Sequence, residues 1–277
     1  MIILSEQFNN PNESKAEQLL TKFLVAKDLL FQHYTQLVEP MLIPDLHGKT
    51  VRVSPSTFPF IDKQRLLISK YLRISPPEIF VYENFYYGAE IVGLTKPWME
   101  ISSKTISDFS PQEITFLIAQ QFSHIYLHHY VLKTHSEQLL KSLQFVETTT
   151  GINLINLFGT IDGLAEAIRL VYYNWTREIA HTADFYGLLF CGKIDVAVNV
   201  IIKMIINNSE LAESVNKSEY IKSNDYFSSL DGVVSFYTKL DEPLPYGPVR
   251  IAEMIKYLSL SSNKQLFNKM KATQEEI

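Results

Sequence analysis

Apolar residues along this chain recur mostly at helical spacing. Leu19, Leu20, Phe23, Leu24, Leu30 and Leu37 follow Ser14-Lys15-Ala16-Glu17, a signature in which a serine hydroxyl and a glutamate three residues on satisfy orphan amides of a first turn. The pattern predicts a helix over 14–39, ended by Pro40 and Pro44. A short strand over 50–53 leads into a helix over about 61–72, stopped by Pro76-Pro77. Three β-like runs follow, Ile79–Tyr82, 89–94 and Trp98–Ser102, bounded by Gly88, Gly93 and Pro97. Ser110-Pro111-Gln112-Glu113 is a complete helix start, and Ile114, Leu117, Ile118, Phe122 and Ile125 carry that helix to about 130. Further helices are predicted over 136–148, 155–175, 177–191, 194–206, 232–240 and 248–260, with Gly192 placed as a helix-terminating glycine. Polar 207–230 reads as loop.

These elements add up to a mostly helical α+β fold in one domain, 1–277. It has an N-terminal helix (14–39), a small sheet with an edge strand (50–102), a helical part (110–260) and a frayed tail (261–277). A chain of 277 residues buries roughly three quarters of its unfolded surface, so it needs neither disulfides nor metal to fold. The net charge of −5 argues against a surface built for nucleic acid. The lone cysteine, Cys191, excludes an intramolecular disulfide or a multi-cysteine zinc cluster and suits a cytoplasmic protein. The first residues lack the basic region of a signal peptide. No membrane span is expected, because 152–175 carries Asp162, Glu166 and Arg169, and 196–206 is short and interrupted by Lys203.

Two predicted helices carry the candidate chemistry. The first reads Gln120-Gln121-Phe122-Ser123-His124 within a long apolar run; the second reads Trp175-Thr176-Arg177-Glu178-Ile179-Ala180-His181-Thr182-Ala183-Asp184-Phe185-Tyr186-Gly187. Together they resemble the two active-site helices of the HtpX and CAAX-prenyl-protease type of zinc metallopeptidase, with Asn84-Phe85-Tyr86 similar to the segment ahead of that family's edge strand. The resemblance covers roughly 51–203 and implies a zincin-like fold with a small sheet and an active-site helix pair. In the family's H-E-x-x-H motif, two histidines one turn apart hold zinc and the intervening glutamate activates its water; a glutamate on the second helix is the third ligand. Asp184 and Arg177 match residues that stand behind the ligands and orient them.

At the chemical positions the sequence departs from the pattern. Gln120 stands for the first histidine, Gln121 for the general base and Ala180 for the third ligand; His124 alone survives. The resemblance therefore implies a degenerate zinc site, with no intact catalytic residue, no cofactor, and a peptide or protein as partner. The alternative is an active metal-dependent hydrolase rebuilt around His124, His128 and His181, where zinc would enter again. Here His129 and His135 read as solvent-facing, Cys191 as a core residue, Glu166 and Arg169 as a surface pair, and Phe80, Tyr82, Phe85, Tyr86 and Tyr87 as mostly sheet and core. In the resembling peptidases a substrate lies along an edge strand, which this reading places on Trp98, Met99, Glu100, Ile101 and Ser102.

Overall fold

A computed structural model describes residues 10–24, 27–150, 161–232, 234, 238 and 242–275. Helix α1 (Pro11–Phe23) starts three residues before the predicted serine cap. Asn10 caps it, its side chain accepting from the Asn12 amide at 3.1 Å, and Pro11 fills the first turn, where a missing N–H costs nothing. The predicted single helix is broken at Leu24. A second helical run, α2 (Lys27–His33), passes through a π turn (Tyr34–Val38) into α3 (Glu39–Lys49). Pro40 and Pro44 lie inside this run instead of ending it. The wider π turn, closed by the Glu39 amide on the Tyr34 carbonyl, shifts the ladder just before Pro40 removes a donor. Buried Glu39 then accepts from the Thr95 amide and, at 3.0 Å, from the Thr95 hydroxyl, tying α3 to the sheet.

The sheet has strand order β1-β2-β4-β3, formed by β1 (Thr50–Arg52), β2 (Ile79–Tyr82), β3 (Ala89–Val92) and β4 (Trp98–Ser102), with α4 (Pro59–Leu72) between β1 and β2. β4 pairs in parallel with β2 and antiparallel with β3. The predicted edge strand is thus interior, and the edges are β1 and β3. Its composition explains the correction: Trp98, Met99, Ile101 and Ser102 are all buried, and a strand buried on both faces belongs mid-sheet. Met99 and Ile101 face the main core while Trp98 packs with Phe80 and Leu46 on the other side, following the period-two alternation.

After α5 (Ser103–Asp108), the predicted capping box opens α6 (Pro111–Tyr126), with both reciprocal hydrogen bonds present. α7 (His129–Thr150) begins earlier than the pattern suggested. The two helices predicted on either side of Thr176 are one, α8 (Ile161–Cys191), because nothing there interrupts the ladder: the Thr176 hydroxyl bonds the Tyr173 carbonyl one turn back. Gly192 ends α8 at φ 68°, and α9 (Ile194–Ile206) follows. The expected loop over 207–230 holds short helices α10 (Ser209–Glu213), α11 (Lys217–Lys222) and α12 (Asn224–Ser228), the first two capped by Asn208 and Asn216. α13 (Gly247–Ser259) is as predicted, and most of the 232–240 prediction lies outside the described residues, as does 155–160. The expected frayed tail is instead α14 (Ser261–Glu275), docked by buried Leu266 and Met270.

Helix α6 lies between the sheet and α8. Its start is fixed by a buried ion pair, Lys203 Nζ to Glu113 Oε2 at 3.0 Å, with a second bond to the Asp108 carbonyl. Close approach of α6 and α8 depends on Gly187, where a Cβ would sit 2.7 Å from the ring of Phe116, itself fully buried. Among the described residues no helix is long and apolar enough to cross a membrane. Gly187→Ala is expected to destabilise the fold by up to about 2 kcal/mol, since overpacking at about 1–3 kcal/mol outweighs the roughly 1 kcal/mol that alanine gains over glycine in a helix. Urea denaturation with an unchanged slope and a lower midpoint would show it.

Candidate active site

Gln120, Gln121 and His124 on α6, Ala180 and Ala183 on α8, and Ala89 to Ile91 on β3 line one cavity of about 230 Å³. The capping box sets the phase of α6 and the uninterrupted α8 sets that of its partner, so the residues matched to the motif converge. The Gln120 side-chain amide donates to Asp184 Oδ1 at 2.6 Å, and the Gln121 amide donates to Gln120 Oε1 at 3.3 Å. Asp184 is 0% exposed. Arg250 of α13 donates to both of its oxygens, Nε at 2.8 Å and Nη2 at 2.7 Å. Burial alone would lower the Arg250 pKa, but the Asp184 carboxylate more than offsets it and holds the guanidinium above its ordinary value.

His124 belongs to a second network. Its Nδ1 lies 3.0 Å from His129 Nδ1, and His129 Nε2 lies 2.8 Å from Glu13 Oε1 of α1. A carboxylate only accepts, so His129 Nε2–H donates to Glu13, and the contact between the two facing Nδ1 atoms is bridged by a single proton. Burial first, then the neighbouring His129, push the His124 pKa well below the ordinary histidine value. The Thr182 hydroxyl donates to the other oxygen of Glu13, and Asn10 donates to Glu178 at 3.2 Å, so α1 is fastened along α8.

Other candidates lie elsewhere. Helix α6 stops at Tyr126, and His128 turns the corner to α7 at φ 59°, so the one-turn spacing from His124 does not place the two histidines on a common face. His128 lines a different cavity. His181 is buried with Nδ1 lacking a hydrogen-bond partner among the described residues. The set His124, His128 and His181 is therefore not assembled, and among the described residues no group of three or more His, Cys, Asp or Glu could hold a metal ion. Arg177 reaches away to the Glu242 carbonyl; with Thr176 on the Pro243 carbonyl at 2.7 Å it secures a segment whose Leu244 lines the site cavity. None of Trp98, Met99, Glu100, Ile101 and Ser102 lines that cavity, and Trp98 Nε1 donates to Glu100 at 2.8 Å. His129 and His135 are buried, contrary to the solvent-facing expectation. Of the aromatic run, Phe80 and Tyr87 are buried, but Phe85 and Tyr86 are 80% and 68% exposed. Asn207 braces this loop, accepting from the Tyr87 amide and donating to the Phe85 carbonyl. Cys191 is buried, its thiol pushed up by burial to about 11, and Glu166 pairs with Arg169 on the surface.

Sequence reading missed Glu13 and Arg250. Each reads as one of several charges on an amphipathic helix, with partners 116 and 66 residues away, so no local spacing could announce it. Burial depresses the pKa of His124, His135 and His181. A histidine kept neutral in the fold but free to charge when unfolded contributes stability that is present above about pH 6.5 and lost as pH falls below it, with a slope of up to about 1.4 kcal/mol per pH unit. Urea midpoints at pH 7.5 and 5.5 are expected to differ accordingly, and His181→Gln should reduce the difference.

The sequence model of the family described as Peptidase family M48 matches residues 77–254, more than half of the chain. No curated protein matches it. The matched stretch contains the interior strands, both site helices and Arg250, and it bears out the resemblance at the level of the family. The chain belongs to peptidase family M48.

Proposed function

We propose that this chain is a non-catalytic member of its family that binds an extended peptide or protein segment. The observation that carries the reading is the donor set around the cavity. Zinc is held by thiolate, imidazole and carboxylate. Here Gln120 and Gln121 offer amides, Gln120 is already engaged by Asp184, Ala180 offers a methyl, and His124 offers an imidazole, while His129 and Glu90 in the same wall are taken up by Glu13 and Lys133. This set does not fit the three-ligand zinc centre of the resembling peptidases. An amide at position 121 also takes no proton, and loss of general acid–base assistance alone removes about 10²–10⁴ in rate.

Binding needs neither metal nor base. In the β3–β4 ladder the Ser102 amide donates to the Gly88 carbonyl, which makes 88 and 102 a hydrogen-bonded pair in the register Ala89 to Ile101. Alternation then pairs Glu90 with Glu100 and directs the N–H and C=O groups of Ala89 and Ile91 outward from β4. Among the described residues no further strand pairs with this edge, which borders the cavity of Gln120 and His124. Lys133, 3.8 Å from Glu90, separates that cavity from a second hollow of about 450 Å³ along the same strand, with Tyr34 and Lys141 in its walls. An extended chain can add to β3 across both, with main-chain hydrogen bonds giving affinity and the two hollows receiving side chains.

The purified chain is expected to hold no stoichiometric zinc and to leave unfolded casein intact; elemental analysis giving one zinc per chain, with proteolysis abolished by His124→Ala, would overturn the non-catalytic reading. The groove is tested with the same casein as probe. Binding should protect the Ala89 and Ile91 amides from hydrogen exchange. Ala89→Pro should weaken binding at least tenfold while leaving the fold intact, because that N–H is not part of the β4 ladder. Protection elsewhere with β3 unaffected would refute it.

A further inference from the structure

A larger cavity, about 510 Å³, opens between the end of α4, the β3–β4 turn and the α6–α7 corner. Its walls carry Arg73, Lys96 and His128 together with Tyr71, Tyr126 and Tyr130, and no carboxylate is among the described residues lining it. In a chain of net charge −5 this is a local reversal of sign. Lys96 has a loose exposed contact with Glu78 at 3.6 Å, and no ion pair involves Arg73 among the described residues. The backbone adds an independent observation. Arg73 and His128 hold φ of 56° and 59°, the left-handed region that helix ends ordinarily give to glycine or asparagine. Such strain, of order 1–3 kcal/mol per residue, gathers at functional sites, and here two such helix ends with basic side chains meet in one cavity.

The rings are held in place. Tyr71 packs edge-on against Phe190 and Tyr126 edge-on against Tyr186, each with ring centroids 6.0 Å apart. Aromatic walls favour a flat ring, and a guanidinium with an ammonium favours a phosphate. The volume lies within the range of about 300–1,000 Å³ usual for small-molecule sites. The overall negative charge disfavours a long polyanion. We propose that this cavity binds a small aromatic phosphate of nucleoside monophosphate size, with the phosphate on Arg73, Lys96 and His128 and the ring among the tyrosines.

Calorimetric titration of the full chain with adenosine monophosphate is expected to show saturable one-site binding, with adenosine and inorganic phosphate each at least tenfold weaker. Arg73→Gly should reduce affinity at least tenfold while keeping or raising the melting temperature, since glycine takes positive φ without strain. Lys96→Ala, a substitution on an exposed side chain, provides a second variant with the same expected loss. Absence of saturable binding, affinity unchanged in both variants, or inorganic phosphate binding as tightly as the nucleotide would each overturn the proposal.

Discussion

Asp184 is a carboxylate without access to water, and the arrangement of the helices around it follows from that. An uncompensated buried charge costs several kcal/mol, so α8 can take this position only if its partners arrive with it. Arg250 brings α13 through two hydrogen bonds and Gln120 brings α6 through one, all to the same small group. The three helices are thereby coupled: loss of the Arg250 contact strands a buried charge, while loss of the Gln120 contact removes one hydrogen bond from it. The Lys203–Glu113 pair repeats the device at the start of α6, where α9 is the partner.

Scaffold and chemistry are separable here. What keeps α6 against α8 is the small profile of Gly187 and Ala183 and the buried rings beside them, none of which takes part in metal chemistry. Of the family's chemical positions only 120 carries a bond between the two helices, so the others can change without disturbing the pair. The polar links around His124 show the converse, because Glu13 comes from α1, outside the matched stretch of 77–254. A helix outside the matched stretch thus supports, through His129, a histidine that lines the cavity.

The sequence was most legible where short-range chemistry decides the outcome. Ser110 to Glu113 announces α6 completely, and Gly192 marks the end of α8, because a cap or a positive φ is a property of a few adjacent residues. The helix-pair motif was legible for the same reason. The strand order was not: which of β3 and β4 lies inside depends on how the hairpin docks on β2, and period-two alternation is blind to that. The tail reads as polar because α14 buries only a narrow stripe, Asn263, Leu266 and Met270. His128 escaped the helix that the pattern extended to it because α6 ends one turn sooner, with His128 itself in the left-handed region.

Asn207 closes α9 at φ 56° and, from the same residue, clasps the loop ahead of β3 with one acceptor and one donor. Few side chains satisfy both demands. Glycine takes the backbone angle but has nothing to offer the loop; aspartate takes the angle but sets an acceptor against the Phe85 carbonyl; glutamine has the amide on a longer stem and pays the full left-handed cost. The position thus works as a hinge pin shared by two otherwise unrelated segments, so the pitch of the last turn of α9 and the placement of the strand that borders the cavity are a single mechanical setting.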